Sequence, residues 1–252
     1  MELKKITSYL DNYLNIGDFR DDSANGLQVA NSGNIEKIGL AVDACLEAIQ
    51  KAGDAKCNLL IVHHGLFWGK QELIVGNHFQ RMRSLIMADM ALYAAHLPLD
   101  GHAEVGHNIQ IAKKIGLSGI EPFAEYYGKP IGMKGKIKNP KSCSEVVEDL
   151  EKAVGPCKGL LKFGPEQVYS IGVVSGSATD PALFEELKIQ AIDLFVTGEP
   201  KHGAYYLAQE YGLNVLYCGH YLTETFGIKA LGEHLKKQLN ISTEFIDVPC
   251  IF

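Results

Sequence analysis

The chain has 252 residues, of which 46% are hydrophobic and 21% are charged, and this composition is that of an ordered globular protein rather than a disordered one. At about 150 residues per domain, the length predicts one large or two modest domains. The formal net charge of −6 excludes a protein that coats DNA or RNA through a general basic surface, although it is compatible with a local basic pocket.

The six cysteines and the N-terminal segment predict a cytoplasmic protein. No two cysteines have Cys-x-x-Cys spacing, and the first residues have the periodicity of an amphipathic helix instead of the continuous apolar run of a signal peptide. No segment contains the about 20 apolar residues that a membrane span needs. We therefore expect a soluble protein with reduced, mostly buried thiols, no disulfide framework and no membrane partner.

After residue 35 the chain alternates short apolar runs with amphipathic stretches, a pattern typical of βαβ units. The pattern predicts strands at 38–43, 58–62 and 91–95 and helices at 44–52 and about 77–88. These strands are apolar enough for a sheet that is covered on both faces. The predicted fold class is therefore α/β.

The second part of the chain repeats this plan, which predicts two similar α/β halves. Few residues are identical between the two parts, but the order of the predicted strands and helices is the same. We place the first half at residues 1–122 and the second at 123–252. The repeated elements are strands at 171–176, 193–198 and 214–219 and helices at about 180–188 and 202–211.

Residues 123–168 precede this repeat and are predicted to be a peripheral part of the second half or a source of contacts between subunits. The piece at 130–137 has the composition of a hairpin. A helix follows from about residue 144, with Ser142 or Ser144 as its N-cap and Gly155 at its end.

Seven side chains of the types that bind metals fall at or just after the ends of predicted strands. In an open α/β sheet, ligands bind beyond the carboxyl ends of the strands. A single histidine in such a place is more often a hydrogen-bonded loop residue, but an adjacent histidine pair and two His-x-x-x-acid segments together favour a site. The seven residues are His63, His64, His96, Asp100, Glu199, His220 and Glu224.

The mixture of imidazoles and carboxylates indicates a site for divalent Zn, Mn, Fe, Co or Ni. His63 and His64 are adjacent, so their side chains would lie on opposite faces of a continuing strand. Binding one ion would then need a bend, which Gly65 allows, whereas serving two nearby ions is easier. The sequence thus favours a centre with two ions.

His220 and Glu224 are four residues apart, which brings them close enough on a helix to share an ion. Either Asp100 or Glu224 is the natural carboxylate to bridge two ions.

Each of the three segments that carry the candidate ligands also has a structural explanation. The first is a turn around Pro98, the second a glycine turn at His-His-Gly, and the third a helix N-terminus with an acidic residue. The metal hypothesis therefore depends on the fold bringing the segments together.

Five segments, in order and across nearly the whole chain, carry a resemblance to a known family. They are DDSANGLQV, LLIVHHGLFW, AAHLPLDGH, VTGEPKH and GHYLTETFGIKALGEHL. Together they resemble the Nif-three-like family, also called the GTP cyclohydrolase I type 2 family. The resemblance implies two similar α/β halves that face each other across a dinuclear metal centre, in subunits that assemble into a toroidal hexamer.

The resemblance also implies roles for individual residues. His96 and Glu199 match polar positions close to the ions and are the candidate catalytic residues, whereas His202 matches its neighbourhood less well. The implied ligands of two divalent ions per subunit are His63, His64, Asp100, His220 and Glu224.

The residues and the resemblance together predict a metal-dependent hydrolase. The family name implies opening of the imidazole ring of GTP with release of formate. No residue pattern reads a purine edge or a triphosphate, so hydrolysis of another nucleotide or of a phosphoester stays open. A non-catalytic metal-binding or interaction module in a ring-shaped oligomer is the alternative from another class. Such a module would be favoured if four lysines lined the cavity of the ring. If instead they lie on a hairpin exposed to solvent, they have no role in a site. The four are Lys134, Lys136, Lys138 and Lys141.

Overall fold

The structure is a computed structural model, which describes residues 1–251. Two compact units make up the chain. Unit 1 consists of Met1–Leu99 and Ile228–Val248, and unit 2 consists of Asp100–Gly227 and residues 249–251. In chain order the elements are α1 (Leu3–Tyr13), β1 (Gly26–Val29), β2 (Lys37–Asp43), α2 (Leu46–Asp54), β3 (Leu59–His64), α3 (Gly76–Met87), β4 (Ala91–Ala94), α4 (Leu97–Asp100), α5 (His107–Lys114), β5 (Ser118–Tyr126), β6 (Lys129–Ser142), α6 (Cys143–Val154), β7 (Gly159–Lys162), β8 (Gln167–Val173), α7 (Pro181–Ile189), β9 (Leu194–Thr197), α8 (His202–Tyr211), β10 (Asn214–Tyr217), α9 (His220–Leu239) and β11 (Ser242–Phe245).

Unit 1 is built on a five-stranded sheet in the order β1-β4-β3-β2-β11. Strands β4, β3, β2 and β11 run parallel, and β1 is antiparallel to β4. The four residues Leu59, Leu60, Ile61 and Val62 of β3 have no exposed surface, because this central strand is covered on both faces. The continuous apolar run in the sequence therefore becomes the core of the unit.

Unit 2 contains a six-stranded sheet in the order β5-β6-β8-β9-β10-β7. The central strands β8, β9 and β10 are parallel, whereas β5, β6 and β7 join the sheet in antiparallel orientation. Leu194, Phe195 and Val196 of β9 are completely buried. The predicted α/β class is confirmed, and each unit holds three consecutive parallel strands, β2 to β4 and β8 to β10.

The compact units do not divide the chain at the same residues as the sequence halves 1–122 and 123–252. Helix α9 begins in unit 2 and continues into unit 1, where β11 follows it. Strand β11 then pairs in parallel with β2, with Ser242 opposite Lys37. The strand thus covers an edge of β2 that would otherwise expose unpaired backbone groups.

The segment at 123–168 forms parts of the unit 2 sheet together with a helix. The piece at 130–137 is not a hairpin of its own, because it lies within β6, which pairs with β5. Ser142 is the N-cap of α6, and it forms a capping box with Glu145. Within residues 1–251, no helix is both long enough and apolar enough to cross a membrane.

Candidate metal centre

Three histidines of unit 1 converge at the carboxyl ends of β3 and β4. His63 and His64 are the last two residues of β3, and His96 follows β4. One ligand-type nitrogen from each of the three lies within 4.8 Å of the others. The ring centroids of His63 and His64 are 4.6 Å apart, and those of His63 and His96 are 5.0 Å apart. The adjacent imidazoles are therefore close to each other despite their alternate positions along the strand.

The first two imidazoles are held through their Nδ1 atoms. Nδ1 of His63 lies 2.9 Å from the carbonyl oxygen of Ala95, and Nδ1 of His64 lies 2.9 Å from Oδ1 of Asp43. Both partners are acceptors, so each Nδ1 carries the proton and donates it. This arrangement makes Nε2 the ligand nitrogen of both residues, as in many histidine metal sites.

His96 is held in the same way by a buried carboxylate. Its Nδ1 lies 2.9 Å from Oδ1 of Asp21, and its backbone N–H donates to Oδ1 of Asn25. Burial would raise the pKa of Asp21, but the hydrogen bond and charge of His96 and the N–H donors of Ser23 and Asn25 outweigh it and lower this pKa to about 2. Asp21 and Asn25, which lie in the loop before β1, thus position His96.

An aromatic ring lies beside this histidine cluster. The ring centroid of Trp68 is 5.0 Å from that of His96, with the two rings nearly perpendicular, and 5.9 Å from that of His64. The indole N–H donates to the carbonyl oxygen of Gly65, which fixes the ring over the turn after β3. Gly65 has no room for a side chain, because a Cβ there would lie 2.7 Å from that of Ala94.

Unit 2 has a cluster that is richer in carboxylates. His220 is the first residue of α9, and its Nε2 lies 3.0 Å from Oε1 of Glu224, one turn further along. Its Nδ1 lies 3.4 Å from Oε1 of Glu199. Burial would lower the pKa of His220, but the two carboxylates outweigh it and raise the pKa to about 9. They thus hold a positive charge on His220, and the same field would favour a divalent cation.

A close approach of the backbone shapes this second cluster. Gly176 has a φ of +67°, and a Cβ at this position would lie 2.3 Å from Oε1 of Glu224 and 3.2 Å from Nε2 of His220. The backbone N–H of Gly176 donates to Oγ1 of Thr223 on the same helix as these two side chains. Only glycine therefore fits between β8 and the two ligand-type side chains.

Asp100 is the third carboxylate of unit 2 that the sequence predicted. It is 7% exposed, and Oδ1 accepts a hydrogen bond of 2.9 Å from Oγ of Ser175. A ligand-type nitrogen of His107 lies within 4.8 Å of an Asp100 carboxylate oxygen. His107 is completely buried, and its Nδ1 accepts the backbone N–H of Gly227. Asp100 is thus hydrogen-bonded to Ser175, the residue before Gly176.

The structure brings most of the predicted site residues together within each unit. His63, His64 and His96 form one group in unit 1. Glu199, His220 and Glu224 form one group in unit 2. His107, Asp43 and Asp21 were not predicted to belong to these groups, because a histidine after a glycine, an aspartate at the last position of a strand and an aspartate in a loop are each common in any chain.

Other residues that the sequence singled out have different surroundings. His202 is exposed at the start of α8, where its ring packs against Tyr206. Lys134 pairs with Glu121 at 3.6 Å, and Lys141 pairs with Asp149 at 2.5 Å. Lys136 lies over the ring of Tyr169, and Lys138 is exposed. Each of these lysines therefore either has a partner within unit 2 or is exposed to solvent.

The donor atoms of the two groups suit divalent transition metals. Imidazole nitrogens fit Zn, Co, Ni and Fe, and carboxylate oxygens extend the range to Mn. Hydrogen bonds made by Nδ1 orient the rings in unit 1, and in unit 2 the missing side chain of Gly176, the glycine cradle, lets Glu224 and His220 approach the backbone closely. Both groups could thus hold metal ions.

Comparison with known proteins places the chain among proteins of the same length and fold. The family model described as Duf34/NIF3 (NGG1p interacting factor 3) matches residues 1–250. A protein of Archaeoglobus fulgidus named GTP cyclohydrolase 1 type 2 homolog is 41% identical over 249 residues, which are 99% of each chain. A protein of Pyrococcus horikoshii with the same name is 41% identical over 250 residues, also 99% of each chain.

Solved structures share the fold over the whole chain. The crystal structure of TTHA1606 from Thermus thermophilus is 41% identical, with a TM-score of 0.92 and full coverage of both chains. The protein ybgI, described as of unknown function, is 30% identical with a TM-score of 0.92 and 99% coverage of both chains. Reduced HcgD from Methanocaldococcus jannaschii is 26% identical with a TM-score of 0.86 and 98% coverage of both.

Proposed function

The chain belongs to the Duf34/NIF3 family, and we propose that it is a metal-dependent hydrolase with two divalent ions per subunit. The observation that carries the proposal is the convergence of three imidazoles at the ends of β3 and β4, each with Nδ1 fixed by a hydrogen bond that leaves Nε2 as the nitrogen able to bind a metal. A cluster of this kind, with His63 buried and the other two imidazoles half-buried, is costly to maintain without a function, because polar groups lose their hydration.

We assign the ligands by combining the family resemblance with the surroundings of each residue. The imidazoles of His63 and His64 are the nitrogen ligands from unit 1. His220 and Glu224 are a nitrogen and an oxygen ligand from unit 2, and Asp100 is the second carboxylate. Ser175 orients Asp100 through its hydroxyl group, and Asp43 orients His64.

When bound, the ions would lower the pKa of coordinated water and polarise the bond that is broken. His96 and Glu199 are the groups that we propose to move protons to and from the substrate. Asp21 fixes the ring of His96 through Nδ1, so that Nε2 is the nitrogen that exchanges a proton. Glu199 lies 3.4 Å from His220 and is half-buried, so its carboxylate can contact both the cluster and solvent.

The first substrate to test is GTP, because several relatives are named GTP cyclohydrolase 1 type 2 homolog. Hydrolysis of the purine imidazole ring would release formate. The indole of Trp68 supplies an aromatic face beside the histidine cluster, where a planar base can stack. Another nucleotide or a phosphoester would use the same ions and is the second substrate class to assay.

Anaerobic reconstitution tests this proposal. The protein is stripped with a chelator, loaded with Mn, Zn, Fe, Co or Ni, and analysed for metal per chain and for formate and pterin fluorescence from GTP. We expect two ions per chain and turnover that depends on them. Two ions without any turnover of GTP would remove GTP as the substrate, and a chain that binds no metal would remove the hydrolase proposal.

We also propose that the subunits assemble into a hexamer, as the family resemblance implies. Unit 1 carries apolar side chains with large exposed fractions, namely Leu73 at 73%, Val75 at 64% and Met87 at 76%. Apolar surface of this kind is typical of subunit contacts. Light scattering at micromolar concentration should give six times the chain mass of 27.6 kDa, and a monomer would contradict the proposal.

A further inference from the structure

Two cysteines of unit 2, Cys157 and Cys218, have their sulfur atoms only 2.9 Å apart. They are 61 residues apart in the sequence, and neither belongs to the metal ligands assigned above. A disulfide bond has a length of about 2.05 Å, so closing it requires a relative shift of about 0.9 Å. The two sulfur atoms are thus within a short movement of bonding distance.

The strand pairing of β7 and β10 brings these cysteines together. Gly159 lies opposite Tyr217 in this antiparallel pair, and the backbone N–H of Lys158 donates to the carbonyl oxygen of Tyr217. Cys157 and Cys218 lie just beyond these paired residues, where a continued register would place Cys218 opposite Lys158 rather than Cys157. The sheet therefore brings the two backbone segments close together, and the sulfur atoms meet where the regular pairing has ended.

The two thiols differ in their access to solvent. Cys218 has no exposed surface, whereas Cys157 is half-buried and lies between the exposed residues Pro156 and Lys158. The hydrogen bond from Cys218 lowers the pKa of the Cys157 thiol. An accessible cysteine beside a buried resolving cysteine is the usual arrangement in redox-sensitive proteins.

We propose that Cys157 and Cys218 are a redox modification site, at which a peroxide forms a reversible disulfide. In the first step, the Cys157 thiolate attacks one peroxide oxygen, the O–O bond breaks, and Cys157 becomes a sulfenic acid with release of hydroxide. In the second step, the Cys218 sulfur attacks the Cys157 sulfur, and the hydroxyl group leaves as water. Overall, two thiols and one hydrogen peroxide give one disulfide and two waters.

The disulfide would connect two segments of unit 2 close to the candidate metal centre. Cys218 is followed by Gly219 and His220, so the new bond would form two residues before the start of α9. It would tie this turn to the loop between α6 and β7 and restrict the movement of both. The modification itself needs no bound metal, so this inference stands apart from the proposed hydrolase function.

Peptide mapping of the full-length protein tests this inference. The reduced protein is treated with a few equivalents of hydrogen peroxide, blocked with N-ethylmaleimide and digested with trypsin without reductant. Trypsin should release Cys157 within residues 153–158 and Cys218 within residues 202–229. We expect these two peptides to be linked, with a mass lower by two hydrogens than the sum of both, and to separate on addition of dithiothreitol.

Variants make the result specific. Cys157→Ser should abolish the linked peptide and keep the fold, because this side chain is partly exposed. Cys45→Ser is the matched control, since Cys45 is also half-buried but its sulfur contacts the backbone N–H of Ala48, and this variant should form the same link as the parent. Oxidation of Cys45 or Cys250 without the link between 157 and 218 would overturn the inference.

Discussion

The candidate ligand groups of the two units differ in charge and in how they are held. In unit 1, His63 and His64 present imidazoles whose orientation comes from hydrogen bonds made by Nδ1. In unit 2, Glu224 and Glu199 surround a single histidine and stabilise its positive charge. The unit 1 group is therefore defined by fixed imidazole geometry, whereas the unit 2 group carries the negative charge that would attract a cation.

Removing the carboxylate charge of Glu224 should erase the difference in charge between the two groups and have the strongest effect on metal binding. Glu224→Gln keeps the size of the side chain but removes the carboxylate, so we expect metal affinity to fall by at least about 100-fold. Isothermal titration with Zn or Mn measures the change. His63→Ala should cause a loss of similar size in unit 1, while both variants keep the circular dichroism of the parent.

The controls for these ligand variants separate binding from folding. His234→Ala removes an imidazole of unit 1 that stacks on Tyr13, well apart in sequence from the cluster, and should keep the metal stoichiometry. Leu60→Ala, in the buried core strand, should instead lower the free energy of unfolding by about 2–5 kcal/mol. Retention of two tightly bound ions by His63→Ala would show that our ligand assignment is wrong.

A second change tests whether the glycine cradle of unit 2 is needed. Gly176→Ala places a methyl group 2.3 Å from Oε1 of Glu224 and forces a non-glycine residue to a φ of +67°, so it should cost about 1–3 kcal/mol of stability and weaken metal binding. Gly203→Ala in α8 is the matched control, because nothing lies within 4 Å of its Cβ position. Thermal unfolding of both variants, with and without metal, gives the comparison.

That control should be neutral or slightly stabilising, because alanine is a better helix former than glycine. If Gly176→Ala binds metal as tightly as Gly203→Ala, the cradle has no role in the site.

A third change tests the orientation of the imidazoles in unit 1. Asp43→Ala removes the acceptor for Nδ1 of His64 without removing a ligand, so metal affinity should fall by about 10-fold. Asp54→Ala removes an exposed carboxylate at the end of α2 and should leave the affinity unchanged. Equal affinities for the two variants would mean that this hydrogen bond does not tune the ligand.

A change at the periphery of unit 2 should have only a small effect. Ser142→Ala removes the capping box of α6, which should lower the free energy of unfolding by about 1 kcal/mol and leave metal binding intact. Denaturant titration measures the stability, and a change in metal affinity would contradict the separation of this helix from the ligand group.

Much of the fold follows from the periodicity of the sequence. The run LLIV is completely buried in β3, and the helix predicted at 202–211 is observed as His202–Tyr211. Ser142 was one of two candidate caps, and its spacing to Glu145 decides between them. These elements were predictable because hydrophobic period and capping are local properties.

The remaining features depend on contacts between distant segments. The pairing of β11 with β2 joins residues about 200 apart in the sequence, and no local pattern encodes it. Likewise, Asp43 and Asp21 orient His64 and His96 only after the strands have aligned. The sequence could therefore point to the candidate side chains, whereas their hydrogen-bond partners required the structure.

The exchange of the chain between the units at α9 has a consequence for protein synthesis. The first four strands of the unit 1 sheet are complete at Ala94, but β11, which covers the edge of β2, ends at Phe245. At about 5–20 residues per second, the ribosome needs about 8–30 s for the intervening residues. During this interval the nascent chain exposes the open edge of β2, while all six strands of unit 2 are already available by Tyr217. Unit 2, although it lies later in the chain, is thus the first to have its sheet complete during translation.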